Sequence, residues 1–220
     1  MDSLVIIGNG SQASLAKYYF ERDTELSVSA FVVDKEFQNA SHFENLPLIT
    51  LDEMVEKFPP ADNLAFVAVG YSEMNNIRET LCNRVMESGY NLTSYISPRC
   101  TLLSEEKIGY NCLILEDNTI QPRAKIGNNV TLWSGNHIGH DTEIEDNCFI
   151  TSHVVISGFT KIKNNSFIGV NATLRDDIIV GEYSLIGAGS VIMQSTEPYS
   201  VILPPKSTKL DKKSTDLQIS

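Results

Sequence analysis

Residues 138–174 read IGHDTEIEDNCFITSHVVISGFTKIKNNSFIGVNATL, and an aliphatic residue returns at every sixth position: Ile138, Ile144, Ile150, Ile156, Ile162, Ile168, Leu174. Extended both ways, the phase holds from Ile96 through Leu102, Ile108, Ile114, Ile120, Ile126 and Leu132, and onward through Val180 and Ile186 to Ile192, seventeen positions without a miss. A small or compact side chain stands four residues after most of them: Cys112, Ala124, Val130, Thr142, Cys148, Val154, Thr160, Ser166, Ala172, Ser184, Ser190. Gly109, Gly127, Gly139, Gly169, Gly181 and Gly187 follow the aliphatic residue directly. A helix requires apolar spacing near 3.6 and a simple sheet spacing of two, so neither accounts for six. A triangular parallel β-helix does. Each unit supplies one short strand and one corner, three units make a coil, and residues eighteen apart stack about 4.8 Å from one another. Residues 96–197 hold between five and six such coils.

The first ninety residues follow another pattern. Leu4-Val5-Ile6-Ile7, then Gly8-Asn9-Gly10-Ser11-Gln12-Ala13, then a helical stretch to about Phe20 read as strand, glycine turn and helix. Val28 to Val33, ending in Asp34, reads as a second strand; Leu64 to Val69, stopping at Gly70-Tyr71, reads as a third, with a helix from about Met74 to Glu87 behind it. This predicts a small parallel α/β unit. Gly8 and Gly10, with Ser11, let a phosphate or ribose approach unpaired N–H groups at a helix N-terminus, and Asp34 is spaced for a ribose or base contact. A purely structural unit capping the solenoid is the alternative. The expected organisation is residues 1–92 as a nucleotide-binding βαβ domain, 93–200 as the β-helix and 201–220 as a C-terminal extension.

Composition narrows the partners. Lys and Arg number 17 against 28 Asp and Glu, a formal charge of −11, so there is no basic excess with which to neutralise a nucleic-acid backbone. Cys82, Cys100, Cys112 and Cys148 show no C-x-x-C spacing and read as reduced core thiols. No basic segment precedes the first apolar run, which reads against a secretory signal, and no stretch approaches the ~18 apolar residues of a membrane span. A cytoplasmic location is the expectation. His137, His140 and His153 are close in sequence, but no two are eighteen apart, so they do not stack and no metal is expected.

The G-x-G-x-x-A turn, the strand ending at Gly70 with Arg78 beyond it, the Ile-Ser-Pro entry at 96–98 and the hexapeptide array together resemble the bacterial nucleotide-amino-sugar N-acetyltransferases of surface-polysaccharide and protein-glycosylation pathways. The resemblance implies a left-handed β-helix and a homotrimer. It also implies that acetyl-CoA lies between neighbouring subunits and that the small domain holds a nucleotide-activated amino sugar. Ile138-Gly139-His140-Asp141-Thr142-Glu143-Ile144 looks like the family's I-x-H-[DE]-x-x-I, which makes His140 the catalytic base and Asp141 its acidic neighbour. Gly158, Val170, Gly187 and Ala188 match positions along the pantetheine arm, with Asn171 adjoining. Gly8, Gly10, Ser11, Asp34, Gly70, Tyr71 and Arg78 become nucleotide-sugar candidates, with Trp133 and His137 candidates for the sugar end. The chain departs from the pattern at Gln12, a frequent His. It departs again at Trp133, often Asn, and at Ile202-Leu203-Pro204-Pro205-Lys206, where Gly-x-Pro-Ala-Lys is usual.

Acyl transfer to an amine requires an unprotonated nitrogen at the thioester carbonyl, donors for the developing oxyanion and removal of a proton. Imidazole suits the proton step, and an adjacent carboxylate fixes its tautomer. Neighbours on a strand point oppositely, so contact between His140 and Asp141 requires a turn there. Sugar O-acetylation and a non-catalytic scaffold remain as alternatives. Trp133, eighteen residues after Leu115, stacks on a sugar or covers a coil face. Lys206, Lys209, Lys212 and Lys213 lie in a tail expected to be flexible.

Overall fold

The six-residue phase is carried by the backbone as well as by the side chains. In the computed structural model, which describes residues 3–211 and 213–216, φ is positive at every sixth residue from Asn111 to Gly189. Asn, Asp and Gly fill most of these positions, and these residues enter the left-handed region most readily. Each such residue lies in the turn between two two-residue strands and directs the chain onto the next side of a triangular prism.

The strands stack into three parallel sheets. Face one carries Tyr95–Ile96, Leu113–Ile114, Thr131–Leu132, Phe149–Ile150, Phe167–Ile168, Leu185–Ile186 and Val201–Ile202. Face two carries Thr101–Leu102, Thr119–Ile120, His137–Ile138, Val155–Ile156, Thr173–Leu174 and Val191–Ile192, and face three Lys125–Ile126, Glu143–Ile144, Lys161–Ile162 and Ile179–Val180. Partners are eighteen residues apart, as in Thr131↔Phe149, until the last pairing, Leu185↔Val201. The first two residues of the expected extension therefore form a strand of face one. The second residue of each strand points inward, and the column is buried from Ile114 to Ile192. Ile96 and Leu102, in phase but in the first coil, are 36% and 40% exposed because no coil lies beneath them.

The corner between faces three and one is lined by buried amides. Asn111 donates to Asn129 at 2.9 Å, Asn129 to Asn147 at 2.8 Å and Asn147 to Asn165 at 3.4 Å. At the lower end, Asn111 Oδ1 accepts from the Val67 N–H at 2.7 Å and its Nδ2 donates to the Val67 carbonyl at 3.1 Å. At the upper end, Asn165 Nδ2 donates to Glu79 at 3.0 Å. The ladder thus satisfies itself and fastens the N-terminal unit to the solenoid.

That unit runs β1 (Ser3–Ile7), α1 (Ser11–Asp23), β2 (Ser27–Val33), β3 (His42–Phe43), β4 (Leu46–Thr50), α2 (Leu51–Lys57), β5 (Asn63–Val67), α3 (Asn76–Glu87) and β6 (Asn91–Leu92). The sheet order is β3-β4-β2-β1-β5-β6, parallel except for the β3/β4 hairpin. The hairpin and α2, which opens with a Thr50/Glu53 capping box, are additions to the expected elements. Helix α3 starts later than the expected Met74 because Glu73, Met74 and Asn75 adopt three successive left-handed conformations, which no right-handed helix contains. Ala13, Ala16 and Phe20 of α1 share a core with Tyr95, Leu113 and Leu115 of the solenoid. Among the described residues no helix is long and apolar enough to cross a membrane.

Replacing Asn129 by alanine leaves two ladder neighbours short of a partner and puts a Cβ-bearing residue without a polar side chain at φ 55°. The expected cost is about 3 kcal/mol in urea unfolding, from unpaired buried amides and left-handed strain. A loss below about 1 kcal/mol would mean that the ladder contributes little.

Candidate functional site

In the sheet order β2 and β5 flank β1, the arrangement that opens a crevice at the carboxyl ends of the strands. A cavity of about 610 Å³ lies there, lined by Gly8, Gly10, Ser11, Asp34, Gly70 and Tyr71 among others. Gly10 caps α1 with no side-chain hydrogen bond, and the first turn carries no acidic residue, so the positive end of the helix is left for an anion. Gly8 has φ +127°, and a Cβ there would lie 2.7 Å from the Ala68 carbonyl oxygen, which makes the turn out of β1 specific for glycine.

Asp34 lines the cavity but is already engaged. Arg84 donates to its two carboxylate oxygens at 2.7 and 2.9 Å, and these bonds hold the Asp34 carboxyl below the usual carboxylate range. Arg84 did not emerge from the sequence. It ends a stripe on α3, Ile77, Thr80, Leu81 and Arg84, that faces the cavity, and the helical spacing of that stripe was the available signal.

Two expected substrate residues are corrected. Arg78 points away from the cavity because it sits a third of a turn from Ile77, on the α3 face that docks on the solenoid. It is 2% exposed, donates to Thr131 Oγ1 at 3.2 Å and to the Asn129 carbonyl at 3.0 Å, and lies over the Phe149 ring. Trp133 packs into the core joining α1 to face one, with its Nε1 buried, so it covers a coil face. Tyr71 stays at the cavity and also rests against Phe149 and Phe167, ring centroids 5.0 and 4.8 Å away.

The expected base lies on the corner between faces two and three. Asp141 takes the left-handed turn, φ 57°, and this lets its carboxylate reach back to His140 Nδ1 at 2.9 Å. Arg123, eighteen residues earlier, forms two 2.7 Å hydrogen bonds to the same carboxylate. Arg123 first, and His140 second, push the Asp141 carboxyl down to about 2. The imidazole is half exposed, edge-on to the Phe159 ring at 5.0 Å. Gly158 lies one coil above it, and a Cβ there would come within 2.9 Å of both Cε1 and Nε2. Among the described residues no hydrogen bond takes up Nε2. His137 faces outward from face two, between Thr119 and Val155.

The remaining candidates occupy a different corner. Val170 and Asn171 follow the Phe167–Ile168 strand, and Gly187 and Ala188 follow Leu185–Ile186 one coil above, so all four lie between faces one and two. Val170 and Ala188 are exposed, whereas Gly187 is covered by Leu203 and Pro204. The cavity belongs to the unit seated on face one, the side of the triangle opposite the His140 corner. Within one chain, then, the structure does not bring His140 to the cavity or to residues 170–171 and 187–188. Lys212 of the tail lies outside the described residues.

The family model described as bacterial transferase hexapeptide (six repeats) matches residues 123–158 and 159–194. No curated protein matches the chain by sequence. Among solved structures, a histidine-to-asparagine mutant of perosamine N-acetyltransferase from Caulobacter crescentus, in complex with CoA and GDP-perosamine, is similar with a TM-score of 0.81 and 20% identity, covering 90% of this chain and 92% of that one. The acetyltransferase domain of PglB from Neisseria gonorrhoeae FA1090, in complex with acetyl coenzyme A, gives 0.80 and 22%, covering 91% and 95%. WeeI from Acinetobacter baumannii AYE gives 0.77 and 18%, covering 91% and 96%. The chain therefore has the fold of these proteins, an N-terminal α/β unit followed by a left-handed parallel β-helix of hexapeptide repeats.

The Asp34–Arg84 pair sets a pH signature. A carboxyl lowered in the folded state contributes stability that is full above its unfolded value, about 4, and is lost as pH falls through the folded value. The stability gap between the wild type and Asp34→Asn is therefore expected to be constant from pH 8 to about 5 and to shrink below about 4. A gap independent of pH down to 2 would show that the ion pair is not its source.

Proposed function

We propose that the chain is an acetyl-CoA-dependent N-acyltransferase acting on a nucleotide-linked amino-dideoxysugar, the 3- or 4-amino group being the acceptor. The observation that carries the reading is the His140 imidazole: fixed on Nδ1 by Asp141, unengaged on Nε2 and set against the bare backbone of Gly158. Likeness in fold to proteins solved with CoA, acetyl-CoA and GDP-perosamine supports the same reading.

Asp141, ionised and braced by Arg123, accepts a hydrogen bond from Nδ1–H and so leaves the lone pair on Nε2. The sugar amine attacks the thioester carbonyl carbon, and the Gly158 backbone N–H, one coil above the imidazole, is the candidate donor for the oxyanion. Nε2 takes the proton from the attacking nitrogen. The carbon–sulfur bond then breaks, and the leaving thiolate receives that proton. Holding amine and thioester together contributes as much as the base, because the amine is already a competent nucleophile once neutral.

The division of candidate residues between corners supports a homotrimer with shared sites. One copy brings the His140 corner to the side of a neighbour that bears the cavity, Val170, Asn171 and Ala188. Exposed Val155, Val170, Val191 and Met193 on and beside face two supply apolar surface for that contact.

The experiment is CoA release from acetyl-CoA with UDP-, dTDP- and GDP-linked 3- and 4-amino sugars, with the corresponding hydroxyl sugars as controls. Turnover of one amino sugar alone is expected, and His140→Ala is expected to lower kcat about 100-fold or more. Turnover of the hydroxyl sugar would replace the reading by O-acetylation. Mixed trimers test site sharing. His140→Ala combined with Gly10→Asp, which sets a carboxylate in the cradle where the space is open, is expected to regain about a quarter of wild-type activity if sites lie between copies. Each variant alone, or a mixture with sites inside one copy, stays inactive.

A further inference from the structure

Among the described residues Arg78 is a buried cation without an anion. It is 2% exposed, and its hydrogen bonds go to the Thr131 hydroxyl and to the carbonyls of Asn129, Asn147 and Cys148, while Nε has no partner. The ionisable groups acting on it are three thiols, Cys82, Cys112 and Cys148. Burial pushes these up to about 12, 11 and 12, so they are neutral near pH 7. A charge taken out of water without a counter-ion is costly, and carbonyl dipoles offset only part of the loss. The chain's other arginines, at 22, 84, 99, 123 and 175, all meet carboxylates.

The position of this charge gives it a use. Arg78 lies at a small void lined by Gln12, Ala68 and Val69. The same three residues line the large cavity, next to Gly8, Gly10 and Ser11. The guanidinium therefore sits beneath the floor of the cradle, separated from it by low-dielectric protein. Its field there is screened far less than that of a surface charge.

We infer that Arg78 is an electrostatic positioning residue whose counter-ion is the diphosphate of the bound nucleotide, reached through the cavity floor without direct contact. This rests on the nucleotide-sugar reading above and assigns part of the discrimination between phosphorylated and unphosphorylated ligands to a residue that does not touch them. Its signature is a ratio. A charge acting through space weakens diphosphate binding and leaves the nucleoside alone, whereas loss of domain packing weakens both.

The test is calorimetric titration of the full chain with UDP, GDP and dTDP and with uridine, guanosine and thymidine, continuing with the pair that the wild type binds. Arg78→Gln retains donors but no charge. Thr131→Asp keeps Arg78 and gives it the missing carboxylate, at a position already 3.2 Å from its Nη1. In both, diphosphate affinity is expected to fall roughly tenfold with nucleoside affinity within about twofold of wild type. Equal losses for both ligands, or no loss in either variant that folds, would overturn the inference and leave Arg78 a docking residue. A wild type that binds no nucleoside diphosphate would instead remove the nucleotide-sugar reading, and this proposal with it.

Discussion

The molecule depends on a backbone that must enter the left-handed region once every six residues. That requirement ends each strand after two residues, aims one aliphatic side chain per strand inward and closes a coil in eighteen. It is also unevenly met. The corner facing the N-terminal unit uses Asn111, Asn129, Asn147 and Asn165, the residue type that tolerates this conformation best after glycine. The corner at His140 uses Arg123, Asp141, Phe159 and Asp177. Arg123 and Phe159 have no local compensation for a positive φ, at a cost of roughly 1 kcal/mol each. Both touch the His140–Asp141 pair, one through the carboxylate and the other through the ring. Tyr183 continues the asparagine corner at φ 53° and His153 turns the third corner at φ 58°, so such cost is borne elsewhere too, but only at the His140 corner do the residues that bear it touch the imidazole pair.

The asparagine corner answers a second need with the same residues. Amides stacked at the coil spacing satisfy one another, and the two ends of the ladder reach β5 and α3. Arg78 donates into carbonyls of the same corner. Together these bonds fix the orientation of the cavity relative to the prism. The cavity and the His140 corner are then held apart across the body of one chain, a separation that no side-chain movement closes. The proposal of a site shared between copies rests on this rigidity more than on any feature of face two.

The aliphatic phase was legible because each inward residue is demanded locally by its own coil, so the period survives in a single sequence. The strand, glycine turn and helix of β1 and α1 were legible for a similar reason: Gly8 is required by the Ala68 carbonyl, a contact any turn out of β1 must accommodate. Asp34 was legible as a cavity residue, but its partner lies fifty residues away on α3, and no local pattern announces such a pair. Arg78 was misassigned because its direction depends on where α3 begins, and that is set by three left-handed residues, Glu73, Met74 and Asn75, with no glycine to mark them. The polar period of eighteen through Asn111, Asn129, Asn147 and Asn165 was present in the sequence. It would have identified the docking corner.

Charge gives the arrangement its last constraint. A chain of net charge −11 repels anions in general, and screening confines that repulsion to about 8 Å at physiological salt. An anion is held only where local groups outweigh it at short range. The end of α1 and the buried Arg78 are the groups proposed for this: one is an oriented dipole without a capping side chain, the other a cation buried away from water. Because both act inside a cavity of defined shape, attraction extends to an anion that enters the cradle and not to polyanions passing over the surface. On the proposed reading, an acidic exterior and a recess with a cation beneath its floor are complementary parts of one selectivity, and that cation acts furthest when it stays out of solvent.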